Sequence, residues 1–348
     1  MRDAQDGWLD ASSYLLERQY SFLPLPILIT EPALDQGLGM SALFFHDNNR
    51  EEDAEFVTPS VSAVAAAYTG NDSWFTGGGH RGIWRGDTLR YLGWAGYGSI
   101  NLDYYGLSGV ANASRGIEVN SEGVFTAHEL LARVGESEWF VGGRVEYNHL
   151  DISLSLSARE DFLAPLEGDF SNAALGLAAE YDGRDTVFTP NKGNYLRFDA
   201  QRYDEALGGD FDFNYFKAAY RGFWQRGRLV AGLRADTTAI EGNAPFYSEP
   251  YIKLRGIPAN RYQGETVAVL ETELRWDFHP RISVVGFAGA GRAAGSVGDL
   301  DSRPTEEAFG FGVRYLLARV MGLRAGFDIA RGPEDTVFYL TFGQNWSF

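Results

Sequence analysis

Cysteine is absent from all 348 residues, which removes any disulfide framework and any thiolate metal site. Positive charge is scarce. Thirty Lys and Arg against 47 Asp and Glu leave a net charge of −17, the wrong sign for a phosphate backbone, so nucleic acid is excluded as a partner. No stretch approaches the eighteen or so consecutive apolar residues of a membrane helix. That says nothing of strands, which cross a bilayer while alternating between lipid and lumen. Catalytic signatures are also missing. The five histidines (His46, His80, His128, His149 and His279) share no short motif. His149 and Asp151 fall on one parity near a strand end, but no G-x-S-x-G elbow and no HExxH pair occurs. No His/carboxylate cluster stands at ligand spacing. The chain therefore reads as a non-enzyme with no metal and no cofactor.

Glycine and aromatic residues are plentiful, at 42 residues and 14%, a composition suited to antiparallel strands and tight turns. The period confirms it. In 336–348, Phe338, Leu340, Phe342, Trp346 and Phe348 share one parity, while Tyr339, Thr341, Gly343, Asn345 and Ser347 take the other. Leu323, Ala325, Phe327 and Ile329 oppose Arg324, Gly326 and Asp328, and Leu270, Thr272, Leu274 and Trp276 oppose Glu271, Glu273 and Arg275. Such alternation marks strands between two unlike solvents. A soluble β-sandwich alternates too. Here, however, every strand contributes an apolar side, and the opposite face carries glycine with charges of both signs.

Strands are expected near 25–32, 36–46, 59–69, 72–84, 88–104, 116–134, 138–150, 172–183, 194–204, 210–224, 228–239, 266–278, 281–291, 307–318, 321–331 and 336–348. That makes about sixteen, the even number required of a single-chain barrel. The fold class is all-β: a transmembrane antiparallel β-barrel with a short N-terminal helix. Connections alternate between short turns and the long segments 152–171, 240–265 and 292–306, with 46–58 long where a short turn is expected. Ahead of the barrel (22–348), residues 1–21 form an N-terminal segment in which Asp6–Gln19 reads as a helix, capped by Asp6 with Trp8, Ala11 and Leu15 on one face. It is either a plug or docking helix at the mouth or a leader without a role. No signal sequence opens the chain, so a signal peptide is expected to have been removed and Met1 added; no room is left for a separate soluble domain.

Three stretches carry a resemblance. Leu254-Arg255-Gly256-Ile257, in the long connection before the twelfth strand, resembles the V/I-R-G-F/Y signature of the BamA/TamA superfamily of outer-membrane assembly and translocation barrels. Asp182, Arg184 and Asp185, followed by Pro190 and Gly193, are similar to that family's D-x-R-D…P-x-x-G turn. The aromatic end with Phe342, Trp346 and Phe348 resembles the C-terminal signal by which outer-membrane proteins are themselves inserted. The resemblance spans about 22–348 and implies a bacterial outer-membrane location.

It further implies that the long loop folds back into the lumen and that Arg255 pairs with acidic groups on the wall. A guanidinium is always charged and presents a planar fork to carboxylates. Glu271 and Glu273, on the polar parity of the twelfth strand, are the expected partners. Relatives often carry an aspartate in the following strand, but this chain has Gly289 there, so the latch rests on the glutamates or is weaker. Relatives usually carry periplasmic POTRA domains, and none fits in twenty-odd residues; a short branch of this kind needs a periplasmic partner to supply clients. The implied function is insertion or translocation of proteins, or of lipids, through a lateral seam, in contact with outer-membrane lipid and lipopolysaccharide, as a monomer or homodimer. Pro24, Pro26 and Pro32 weaken the first strand's ladder. The alternative is a passive or gated channel without assembly activity.

Overall fold

The computed structural model of the chain describes residues 3, 6–12, 22–46, 60–105, 116–154 and 167–346. Within them run sixteen strands: β1 (Phe22–Ile29), β2 (Gly37–His46), β3 (Ser60–Thr69), β4 (Trp74–Trp84), β5 (Leu89–Tyr104), β6 (Ile117–Arg133), β7 (Trp139–Leu154), β8 (Gly168–Asp182), β9 (Gly193–Tyr203), β10 (Phe213–Arg226), β11 (Leu229–Gly242), β12 (Thr266–Trp276), β13 (Ile282–Ala294), β14 (Glu306–Ala318), β15 (Leu323–Arg331) and β16 (Thr336–Phe342). Each pairs antiparallel with its sequence neighbour in a single sheet. The expected connection 46–58 falls almost wholly outside the described residues.

Burial is inverted relative to a soluble protein, which separates barrel from sandwich. On β12, Leu270, Leu274 and Trp276 are each more than half exposed, whereas Glu271 and Arg275 between them are buried at 2% and 4%. The apolar parity therefore faces outward and the charged parity fills the lumen, where arginines and carboxylates satisfy one another.

Among the described residues the sheet does not close on itself: β1 is paired only with β2 and β16 only with β15. The β1–β2 register runs unbroken across both Pro24 and Pro26. Antiparallel strands turn their N–H and C=O groups toward one neighbour at alternate residues. The ladder must then run through Leu23, Leu25 and Ile27, and the missing donors of Pro24 and Pro26 fall on the open edge.

Two expectations need correction. The last strand stops at Phe342, because Gly343 adopts φ +79° and turns the chain inward. Phe342 does face outward, 61% exposed, but Trp346 is 2% exposed inside the lumen. Its ring lies 5.7 Å from that of Phe223 and over Gly232, where a Cβ would sit 2.8 Å from it. The aromatic C-terminal signal is thus split between lipid and lumen, and Phe348 lies outside the described residues.

The N-terminal helix is the second. Residues 6–11 form a turn and an extended stretch, and of the described residues in the expected span only Ser12 is helical. Asp6 accepts the N–H of Trp8 at 3.0 Å and Asp10 that of Ser12 at 2.7 Å. At Asp6 the side-chain bond to the backbone two residues on competes with the helix, and Gly7 weakens it further. The segment docks on the short-turn end of the barrel. Asp3, Asp6 and Asp10 surround the fully buried guanidinium of Arg281, in the β12–β13 turn, with Asp6 and Asp10 each at 2.6 Å. The Ala11 N–H donates to the Leu317 carbonyl at 2.8 Å.

Two outcomes follow. Leu270→Arg puts a charge near the midplane of the lipid face and is expected to cost about 2–4 kcal/mol, read by denaturant titration in vesicles. Arg281→Ala is expected to free residues 6–12 to limited proteolysis. In Asp10, burial works against the charge, but the Ser12 and Arg281 hydrogen bonds outweigh it and bring its pKa down to about 2; Asp6 is lowered as well, chiefly by Arg281. Lowered carboxylates stabilise the docked state above their ordinary range near 4 and lose that contribution as pH falls through about 2. Protection of the segment is therefore expected to persist at pH 4; release there would contradict the pairing.

Candidate functional site

The segment 243–265 between β11 and β12 folds into the lumen. Ile252, Leu254 and Ile257 are buried to 5% or less against Val267, Val269 and Ala308, so the fold-back has an apolar footing on the wall. A single bridge between Tyr251 and Gln263 holds its base. Gly256 has φ +94°, and a Cβ there would lie 2.8 Å from the Gly332 nitrogen. Both the conformation and the contact require glycine.

Arg255 projects from this turn into the acidic face of β12 and β15. Its Nε and Nη2 donate to one carboxylate oxygen of Glu271 at 2.9 and 2.6 Å, and its Nη1 donates to Asp328 at 2.9 Å. Glu273 lies 3.0 Å from Nη1, yet the facing Oε2 has no hydrogen bond of acceptable geometry, so it contributes charge rather than a directed bond. The guanidinium also stacks on Phe287, 3.4 Å from the ring centre. Burial opposes the charge of Arg255, but Glu271, Glu273 and Asp328 outweigh it and its pKa is raised. Further cations complete the cluster: Arg234 bonds Glu271 at 3.1 Å, and Arg314 bonds Asp328 at 2.9 Å.

Asp328 takes the place of the aspartate that the thirteenth strand does not supply. At Gly289 a Cβ would lie 2.7 Å from Leu254, so that position is occupied by the loop's own apolar anchor. The carboxylate comes instead from β15. Arg255 was expected to rest on the glutamates or to be held more weakly; the fully buried Asp328 is a third acid against it. Its signal in the sequence was its polar parity with Arg324; its approach to Arg255 was not visible there.

The same loop reaches both edges of the open sheet. On the β1 side, Glu31 accepts the Ala259 N–H at 2.9 Å; on the β16 side, the Tyr339 hydroxyl accepts the Gly256 N–H at 2.8 Å. Arg261 forms a fork with Glu334, in the β15–β16 connection, at 2.8 and 2.9 Å. Burial raises the pKa of Glu31, partly offset by the N–H donors of Ala259 and Ala33. None of Glu31, Tyr339 and Glu334 was singled out from sequence.

The turn with Asp182, Arg184, Asp185, Pro190 and Gly193 occupies the opposite, short-turn end. Arg184 forks onto Asp182 at 2.7 and 2.9 Å and stacks on Tyr195. Asp185 accepts the N–H groups of Asn191 and Lys192 at 2.9 and 3.3 Å. Pro190 is fully buried. Gly193 has φ +103°, and a Cβ there would overlap the Gly183 carbonyl at 2.1 Å. The turn crosses the mouth: Thr186 donates to the Met321 carbonyl at 3.1 Å, and Asn191 accepts from Arg275. The apparent His149–Asp151 pair does not form a site; His149 instead hydrogen-bonds Ser171 at 3.0 Å on the outer surface.

The Omp85 superfamily domain matches residues 99–346. No curated protein matches the chain. Among solved structures, BamA from Haemophilus ducreyi lacking POTRA domains 1-3 is similar at a TM-score of 0.61 and 12% identity, over 94% of this chain and 70% of that one. CdiB from Acinetobacter baumannii gives 0.59 and 11%, over 93% and 60%, and CdiB from Escherichia coli 0.58 and 11%, over 91% and 61%. The chain thus spans about three fifths of the CdiB chains. At such identities the likeness is one of fold: a sixteen-strand, nearly closed antiparallel barrel of the bacterial outer membrane. With a family match over most of its length and that barrel around it, the chain belongs to the Omp85 superfamily.

Proposed function

We propose that this barrel inserts or translocates proteins at the outer membrane through the seam between β1 and β16, and that the inward-folded loop 243–265 latches that seam from within. One observation carries the reading. A single loop is bonded to Glu31 beyond β1 and to Tyr339 on β16, across two strands that do not pair. The open edge of β1 lacks two donors at Pro24 and Pro26, so closure by a regular ladder is disfavoured and a client strand meets an edge held by tethers instead. Clients are supplied by a periplasmic partner, and lipopolysaccharide and phospholipid surround the barrel.

The latch is a buried ion cluster, and breaking a buried pair costs about 3–5 kcal/mol. Arg234 and Arg314 remain to hold Glu271 and Asp328, so Arg255→Ala is expected near the lower end, roughly 3 kcal/mol, a shift of about a hundredfold toward the unlatched state. Its measure is single-channel conductance in planar bilayers: low and quiet in the unaltered protein, raised and fluctuating in the variant. Equal, large conductance in both would favour the passive-channel reading. The second test uses the absence of native cysteine. A cysteine pair bridging 25–28 to 337–340 is expected to block client insertion in liposomes when oxidised and restore it on reduction, with partner supplied. Insertion unaffected by the bridge would rule out the seam as the route.

A further inference from the structure

Below the latch, toward the short-turn end, the lumen holds a cavity of about 700 Å³, within the size range of small-molecule sites. Seven cationic and three anionic side chains line it, the reverse of the chain's overall balance. Most of the cations are bonded to carboxylates, as Arg197 is to Glu129 and Arg90 to Glu180. Arg81 of β4 and Lys217 of β10 face the cavity with no hydrogen bond or ion pair among the described residues. Two cations from two strands are therefore unspent around one space. The wall beside Arg81 is apolar, since Arg81 pairs directly with Leu92. Leu92 and Trp94 share the inward parity of β5, since Leu92 pairs with Glu129, and they stay 43% and 39% exposed to the lumen. Phe188 of the crossing turn adds a third apolar surface.

Unspent cations beside uncovered apolar side chains call for a ligand with both characters. We propose that this cavity binds a phosphate-bearing amphiphile with a single acyl chain, of the lysophospholipid class. Its phosphate lies between Arg81 and Lys217, and its chain lies on Leu92 and Trp94. A phosphate offers acceptor oxygens to both cations, and guanidinium suits it in geometry and charge. The acyl chain covers apolar surface that water covers otherwise. This site is independent of the seam, and neither proposal requires the other.

The test titrates the full chain, in a neutral detergent, with lysophosphatidic acid, inorganic phosphate and laurate, read by native mass spectrometry. The expected result is one saturable lysophosphatidic acid per chain, with phosphate and laurate each at least tenfold weaker. Arg81→Gln with Lys217→Gln is expected to weaken lysophosphatidic acid at least tenfold, with folding checked by heat-modifiable gel migration. Trp94→Ala, which removes no charge, is expected to weaken lysophosphatidic acid tenfold and leave phosphate unchanged. Unaltered affinity in the double variant or in Trp94→Ala overturns the proposal. So does phosphate or laurate binding as tightly as lysophosphatidic acid.

Discussion

The guanidinium of Arg255 is where the wall, the loop and the open edge of this barrel meet. It is held by Glu271 from β12 and Asp328 from β15 and stacked on Phe287 from β13. Taken one pair at a time, such contacts lose much of their Coulombic gain to desolvation, so their value lies less in net stability than in specifying one arrangement. Removing a member weakens the pairing of the charges that remain in a space that water reaches poorly. The cluster therefore favours a single loop position over a range of them. From that position follow the tethers to Glu31 and Tyr339, because Ala259 and Gly256 are only a few residues away.

The barrel wall accommodates this loop by giving up side chains rather than adding them. Gly289 makes room for Leu254 and Gly291 for Ile252, while Gly232 makes room for Trp346 at the C-terminal turn. Each substitution by a larger residue would evict an apolar anchor from the lumen. The same economy leaves β13 without the expected aspartate, and Asp328 of β15 meets Arg255 instead. A carboxylate at 289 and an apolar anchor at 254 cannot share the space, and Asp328 approaches the guanidinium from the free side.

At the other end, the crossing turn and the N-terminal segment both act at the mouth. The turn from β8 to β9 reaches Met321 and Arg275, and Asp3, Asp6 and Asp10 gather on Arg281. The lumen is thus covered at the long-loop end by segment 243–265 and narrowed at the short-turn end by two hydrogen-bonded pieces, with the cationic cavity between them.

The alternation of Leu270 and Glu271, or of Phe327 and Asp328, determines that these strands separate lipid from a charged interior, since the period of a strand is two and each solvent selects one parity. The glycine at 256 and the arginine at 255 likewise declare a tight, charged turn, and Glu271 and Glu273 stand on the right face to meet it. Local period misled where a residue left the strand: Trp346 shares the parity of Phe342 yet lies on the lumen side, because Gly343 turns the chain. It misled again at Asp6, whose side chain bonds the Trp8 N–H in a non-helical turn. What only the tertiary structure decided is which distant groups meet: Asp328 and Tyr339 with the loop, Glu31 with Ala259, Arg281 with three aspartates. Those contacts join residues tens to hundreds of positions apart, and they depend on how far the sheet curls before its two edges face each other, a distance that no local pattern encodes.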